Sequence, residues 1–220
     1  MNQTLQILAF ISLPLILNSC GTLVLFDNPQ PARTRALESV PECHQGKYVI
    51  KGDKDTILVF SDVFIIHKET EVKSFSLHDR AHKECIENPE QSLNSLDYDS
   101  ITILSYETTM DSAIFFYKAM NIFELNENLV VKYFKNRYFV NLMVRGLDYW
   151  YLFIIQCHPT EGYHVQTLKN RHKDFLDELM NFTEIEMKEG GVVLIDPSRW
   201  ELQRMLKNDV FESAELLKIE

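Results

Sequence analysis

Three groups of side chains in this 220-residue chain have the types and spacing to do chemistry. The sharpest is His78-x3-His82-x2-Cys85. On a helix those positions share one face, and two imidazoles with a thiolate make a donor set for zinc or copper. Glu84 and Glu87 are near enough in sequence to add a carboxylate, but Asn88-Pro89 ends any such helix early. The same residues also read as polar side chains of a solvated loop. The second group, Cys157, His158 and His164, flanks Pro159-Thr160-Glu161-Gly162. A symmetric hairpin would set Cys157 opposite His164, close enough to share a metal. An ordinary hairpin with a polar tip is the plainer alternative. The third group is aromatic: Tyr138, Tyr149, Trp150, Tyr151 and Phe153 would line a pocket for a small apolar ligand if an antiparallel sheet curled around them. Without a cavity, the same five are hydrophobic core.

Other chemistries lack their signatures. The chain has no Gly-x-Ser-x-Gly elbow, no papain-type cysteine environment and no Ser-x-x-Lys pair. Glycine-rich phosphate loops, His-Glu-x-x-His and calcium-loop spacings are missing as well. Asp97, Asp99 and Asp111 do not make a glycosidase pair by spacing alone. No catalytic residue and no cofactor is assigned on this basis. The 22 basic against 32 acidic side chains, a net charge of −10, argue against nucleic acid as a partner, since phosphate backbones are held by clustered Lys and Arg.

The elements that must position these groups are mostly strands. Between residues 43 and 167, short runs rich in Val, Ile, Phe and Tyr alternate with polar turns. Strands are predicted near 47–51, 56–61, 63–68, 72–77, 101–106, 113–118, 122–125, 129–134, 138–144, 149–156 and 163–167. Asn126-Glu127-Asn128, Lys135-Asn136-Arg137 and Arg145-Gly146-Leu147-Asp148 are hairpin connections, because Asn, Asp and Gly tolerate positive φ. Fifteen of the 25 aromatic residues fall between Tyr98 and Tyr163, which makes that region the centre of the sheet. The fold class is mainly β with an α+β C-terminal end: a curled antiparallel meander or partly closed barrel, covered by one or two C-terminal helices.

Residues 168–220 read as a helix–hairpin–helix segment packed on that β domain. A first helix runs to about Phe182, and a hairpin joins 183–187 to 192–195. A second helix starts at Ser198, where Glu201 three residues later completes a capping-box pattern. Its inward residues are expected to be Trp200, Met205 and Leu206.

The N-terminus differs in kind from the rest. Every charged side chain lies between Asp27 and Glu220, and Leu5–Leu17 is an apolar run of 13 residues. That is the length of a signal-peptide core and short of the ~20 residues a bilayer needs. Leu17-Asn18-Ser19-Cys20 follows directly. This resembles the lipobox of bacterial lipoproteins, and the overall layout resembles uncharacterised Bacteroidetes-type envelope lipoproteins. The resemblance implies that residues 1–19 are a signal peptide and that Cys20 is lipidated. Residues 20–42, with three prolines from Pro29 to Pro41, are then a tether. The address would be the outer membrane facing the periplasm, with the membrane reached through the lipid anchor. A retained transmembrane anchor, a plain secretory signal and a buried helix are the alternatives.

With Cys20 lipidated, Cys43, Cys85 and Cys157 remain, so at most one disulfide forms. The functional expectation is non-enzymatic binding of a protein partner or a small apolar ligand. A periplasmic hydrolase or metal-dependent enzyme, and a structural outer-membrane assembly factor, are the alternatives.

Overall fold

The computed structural model describes residues 23–76, 98–108, 112–158, 162–169, 173–188 and 191–219. Thirteen strands and two α-helices are assigned among them. In chain order the strands are β1 (Leu23–Phe26), β2 (Gly46–Ile50), β3 (Asp53–Phe60), β4 (Val63–Ser76), β5 (Ser100–Thr108), β6 (Ser112–Glu124), β7 (Leu129–Phe134), β8 (Arg137–Met143), β9 (Trp150–His158) and β10 (Gly162–Leu168). Then come α1 (Lys173–Met180), β11 (Ile185–Met187), β12 (Val192–Ile195), α2 (Arg199–Lys207) and β13 (Phe211–Lys218). No helix of the described residues is long and apolar enough to cross a membrane.

All the strands belong to one mixed sheet, ordered β11-β12-β1-β9-β10-β13-β2-β3-β4-β6-β5, with β8 and then β7 on the other edge of β9. The sheet has free ends, so it is not a closed barrel. It is nevertheless curled, because residues from distant strands meet on one face. Tyr48, Leu58, Phe60, Phe64, Phe123, Val131, Tyr138, Val140, Phe153, Val165 and Leu216 form a single inner core. The opposite face of β1, β8, β9 and β12 is covered by both helices, through Phe175 and Leu179 of α1 and Leu202 and Met205 of α2. Strands β4 and β6 run past this body as long antiparallel partners from Val63↔Glu124 to Ser76↔Ser112. With β5 they form an arm with its own small core, Phe115, Tyr117 and Ala119.

Local chemistry explains most of these elements. The β7–β8 hairpin turns through Lys135 and Asn136 at φ 50° and 60°, the type I′ geometry whose twist matches that of the flanking strands. The capping box forms as expected: the Ser198 hydroxyl accepts from the Glu201 amide, and the Glu201 carboxylate accepts from the Ser198 amide at 2.7 Å. Trp200, expected inside, is 65% exposed. Leu202 lies some 200° around the helix from it and faces the core with Met205. The runs 63–68 and 72–77 are one strand, β4, which carries its polar middle through a register shift between Lys68 and Glu71. The first helix of the segment expected from residue 168 spans Lys173–Met180, since β10 continues to Leu168.

Three elements depart further from the sequence reading. β13, with the helix-prone sequence FESAELLK, is a strand between β10 and β2. β1 is fully buried and pairs in parallel with β12, whereas the other strand pairs among the described residues are antiparallel. The boundary at 167/168 separates no structural unit, because β1, β11, β12 and β13 complete the same sheet.

The expected tether is therefore part of the folded body from Leu23 onward. Beyond β1, Gln30 is wholly buried and takes the place of a strand residue beside β8. Its amide donates to Asn141 Oδ1 at 2.6 Å, and its carbonyl accepts from Asn141 Nδ2 at 2.9 Å. Lys132 donates to the carbonyls of Pro29 (2.5 Å) and Pro31 (3.1 Å), and Asp196 accepts from Asn28 and Gln30. Prolines present carbonyls but no N–H, so a lysine and an asparagine supply the donors that a neighbouring strand otherwise would.

Candidate functional site

The inner face of the curled sheet carries a run of touching rings. Tyr133 meets Tyr138 at 4.9 Å between centroids, Tyr138 meets Phe60 at 5.5 Å, and Phe60 meets Phe64 at 6.3 Å. Phe64 then meets Phe153 at 5.6 Å, and Phe153 meets Tyr151 at 5.1 Å. These separations are ordinary aromatic packing. Of the five aromatics expected to line a pocket, Tyr138, Tyr151 and Phe153 belong to this run. Tyr149 lies on the same side of β9 and packs in a satellite cluster with Leu23, Leu25 and Val144. Trp150 points the other way, into the helix-covered core, because successive residues of a strand alternate faces.

At the Tyr138 end the aromatic run reaches polar groups. Cys43 and His44 come from a 3-10 turn at Glu42–His44, which enters β2. The His44 ring lies 5.1 Å from that of Tyr138 and 6.3 Å from that of Tyr163. Tyr48 donates to the His44 carbonyl at 2.8 Å, and its ring is 5.0 Å from Tyr163. The Tyr163 hydroxyl is 3.4 Å from both the Cys43 carbonyl and His44 Nδ1. Cys157 faces Tyr163 directly across the β9–β10 hairpin. This end of the inner core thus gathers three phenols, one imidazole and two thiols, Cys43 exposed and Cys157 half-buried.

The phenols of this cluster are neutral donors. Burial, before any neighbouring group, pushes Tyr138 up to about 12 and drives Tyr48 and Tyr163 up as well. The phenols therefore stay protonated at neutral pH and offer hydrogen bonds and ring faces, not a tyrosinate base. No set of three or more His, Cys, Asp or Glu able to hold a metal is found among the described residues. Asp99 is occupied structurally: it accepts from the Ile122 amide at 2.6 Å and pairs with Arg145.

The register of the β9–β10 hairpin corrects one expectation. Cys157 pairs with Tyr163 and His164 with Gln156, one residue away from the symmetric arrangement. A one-residue slip turns every side chain to the other face, so Cys157 and His164 lie on opposite sides of the sheet. They cannot share a ligand. His78, His82, Cys85 and Cys20 lie outside the described residues, as do Asp97 and Asp111. Cys43, His44, Tyr48 and Tyr163 were missed from sequence; the adjacent Cys43-His44 pair was the available signal, but Tyr163 and Cys157 come from strands more than a hundred residues away. The chain matches no family model, no curated protein and no solved structure.

Proposed function

We propose that this protein is a lipid-anchored envelope protein that binds a partner without chemically transforming it. The observation that carries the reading is Leu17-Asn18-Ser19-Cys20 behind an uncharged apolar run, in a chain whose every charge lies beyond residue 26. A thioether from the Cys20 sulfur to a diacylglycerol, with acylation of the amine freed by a cut before Cys20, would supply enough hydrocarbon for stable membrane residence. On this reading the body faces the periplasm from the outer membrane.

We favour binding because this cluster presents ring faces and neutral phenols beside one imidazole and the Cys43 and Cys157 thiols, a surface for stacking and hydrogen bonding. The group of rings His44, Tyr133, Tyr138 and Tyr163 suits a small ligand with an aromatic or apolar body and one hydrogen-bonding group. Tyr133, 45% exposed, carries the ring surface outward. The arm offers a different mode. Val72 and Leu104 are 54% and 48% exposed on it, a surface for a protein partner.

Palmitate labelling in a bacterial host tests the anchor: label is incorporated into the native chain and lost in Cys20→Ser. Label that persists in Cys20→Ser refutes it. Native mass spectrometry and cross-linking of the membrane-bound protein test the binding, and the recovery of neither a ligand nor a partner counts against it.

A further inference from the structure

We infer that two copies of this chain pack face to face through the outer side of the sheet, over β3, β4, β6 and β5. The inference rests on the reading of the arm as a surface for a protein partner, and it names that partner. It holds whether or not Cys20 is acylated.

An antiparallel sheet with one face in water alternates apolar residues inward and polar residues outward. The inward set follows that rule: Leu58, Phe60, Phe64, Ile66 and Phe123 join the inner core. Their neighbours along each strand face the other way, and many of these are apolar too. Val59, Ile65 and Ile122 stand side by side across β3, β4 and β6. In the next row Ile57 and Met120 flank His67, and Val49 and exposed Leu217 continue that row across β2 and β13. Further along the arm Val72 lies beside Phe116, and Leu104 shares Phe116 with Ser105 through the register shift in β5. These residues are all half-buried or exposed, and none joins a buried core among the described residues. The helices cover other strands, and Tyr98, ahead of β5, packs with Tyr117 on the opposite side of the arm.

Area and charge choose the occupant. With strands about 4.8 Å apart and about 3.3 Å per residue, this face covers roughly 700 Å². That approaches the ~800 Å² that each partner gives to a standard stable interface. Within the face Lys118 and Glu69 neutralise each other at 2.5 Å. Exposed Lys47, Glu107 and Glu124 stand at its rim, the arrangement of a protein interface with an apolar centre. Lys47, opposite Val59, and Glu107, opposite Ile114, mark its two ends, with the Lys118–Glu69 pair between them. A two-fold axis lying in the interface and passing by that pair sets Lys47 of each copy over Glu107 of the other. Such reciprocity is what an isologous dimer requires.

Photo-cross-linking in host cells tests this. Exposed Val72 is replaced by benzoylphenylalanine in the full-length chain, which is co-expressed with a differently tagged copy. Ultraviolet light should give a product of twice the chain mass that bears both tags. Leu104→Glu combined with Leu217→Glu, both at exposed positions, should reduce its yield about fivefold. Lys47→Glu in both copies should reduce it about twofold, and adding Glu107→Lys should restore it, which no folding defect would do. A product containing a different protein overturns the pairing and leaves the arm as a docking surface, whereas monomer alone overturns both. Undiminished product in Leu104→Glu with Leu217→Glu overturns the choice of face. A yield indifferent to Lys47→Glu, or not rescued by Glu107→Lys, overturns the two-fold arrangement.

Discussion

Replacing Asn141 by leucine should destabilise the protein by about 3–5 kcal/mol, because one buried side chain does the work of a missing strand. Asn141 is wholly buried in β8. It accepts from the Gln30 amide at 2.6 Å and donates to the carbonyls of Gln30 and Val130 at 2.9 Å each. Leucine fills the volume but leaves the Gln30 amide and carbonyl buried without a partner. Each such group costs about 1–3 kcal/mol, and the Val130 carbonyl loses a further bond.

The assay is urea denaturation followed by tryptophan fluorescence. With a slope of about 2 kcal/mol per molar typical of a small domain, the midpoint should fall by roughly 1.5–2.5 M. The defect should also have a local sign. Arg33 and Arg35 follow the clamp and are exposed trypsin sites, so cleavage there should accelerate below the unfolding midpoint. A midpoint within 0.3 M of the native protein, with unchanged cleavage at Arg33 and Arg35, would refute the idea that Asn141 builds residues 27–36 into the body.

Three further outcomes are expected. Ser198→Ala should cost about 1 kcal/mol in chemical denaturation, because it removes one half of the capping box, and Ser198→Asp should restore most of it. In the folded protein Cys43 should react with a bulky maleimide well ahead of Cys157, read by mass spectrometry of peptides, since Cys43 is exposed and Cys157 half-buried beneath Tyr163. Stability should fall with alkali from about pH 10, the ordinary phenol value. Between there and the raised folded-state value, about 12 for Tyr138, the unfolded chain loses protons that the folded chain retains, so unfolding is favoured. Tyr48, Tyr117 and Tyr151, raised chiefly by burial, act in the same direction. Buried Lys132, whose value burial lowers, acts oppositely below 10.5 and softens the onset. Denaturation midpoints at pH 8, 10 and 11 check the sign, and a flat or rising profile would contradict it.

The sequence by itself determined the features whose causes are local. Alternating apolar runs with Asn- and Gly-bearing turns are enough to specify strands 129–134 and 138–144 and the hairpin between them, because φ preference and side-chain period act within a few residues. The Ser198–Glu201 cap is likewise a four-residue matter. The lipobox resemblance needs no fold at all. Tertiary structure decided whatever depends on a distant neighbour. FESAELLK favours a helix alone and becomes β13 because the gap between β10 and β2 offers backbone partners on both sides. Leu23–Phe26 falls in the stretch read as a tether and becomes a core strand because β12 arrives to pair with it some 170 residues later. The site follows the same rule. Tyr138, Tyr151 and Phe153 were legible as aromatic strand residues, but their meeting with Cys43, His44 and Tyr163 depends on how the sheet curls. A one-residue register in the β9–β10 hairpin then settled that Cys157 faces Tyr163 and not His164. Such register is fixed by the summed burial of both faces, which no short stretch of sequence contains.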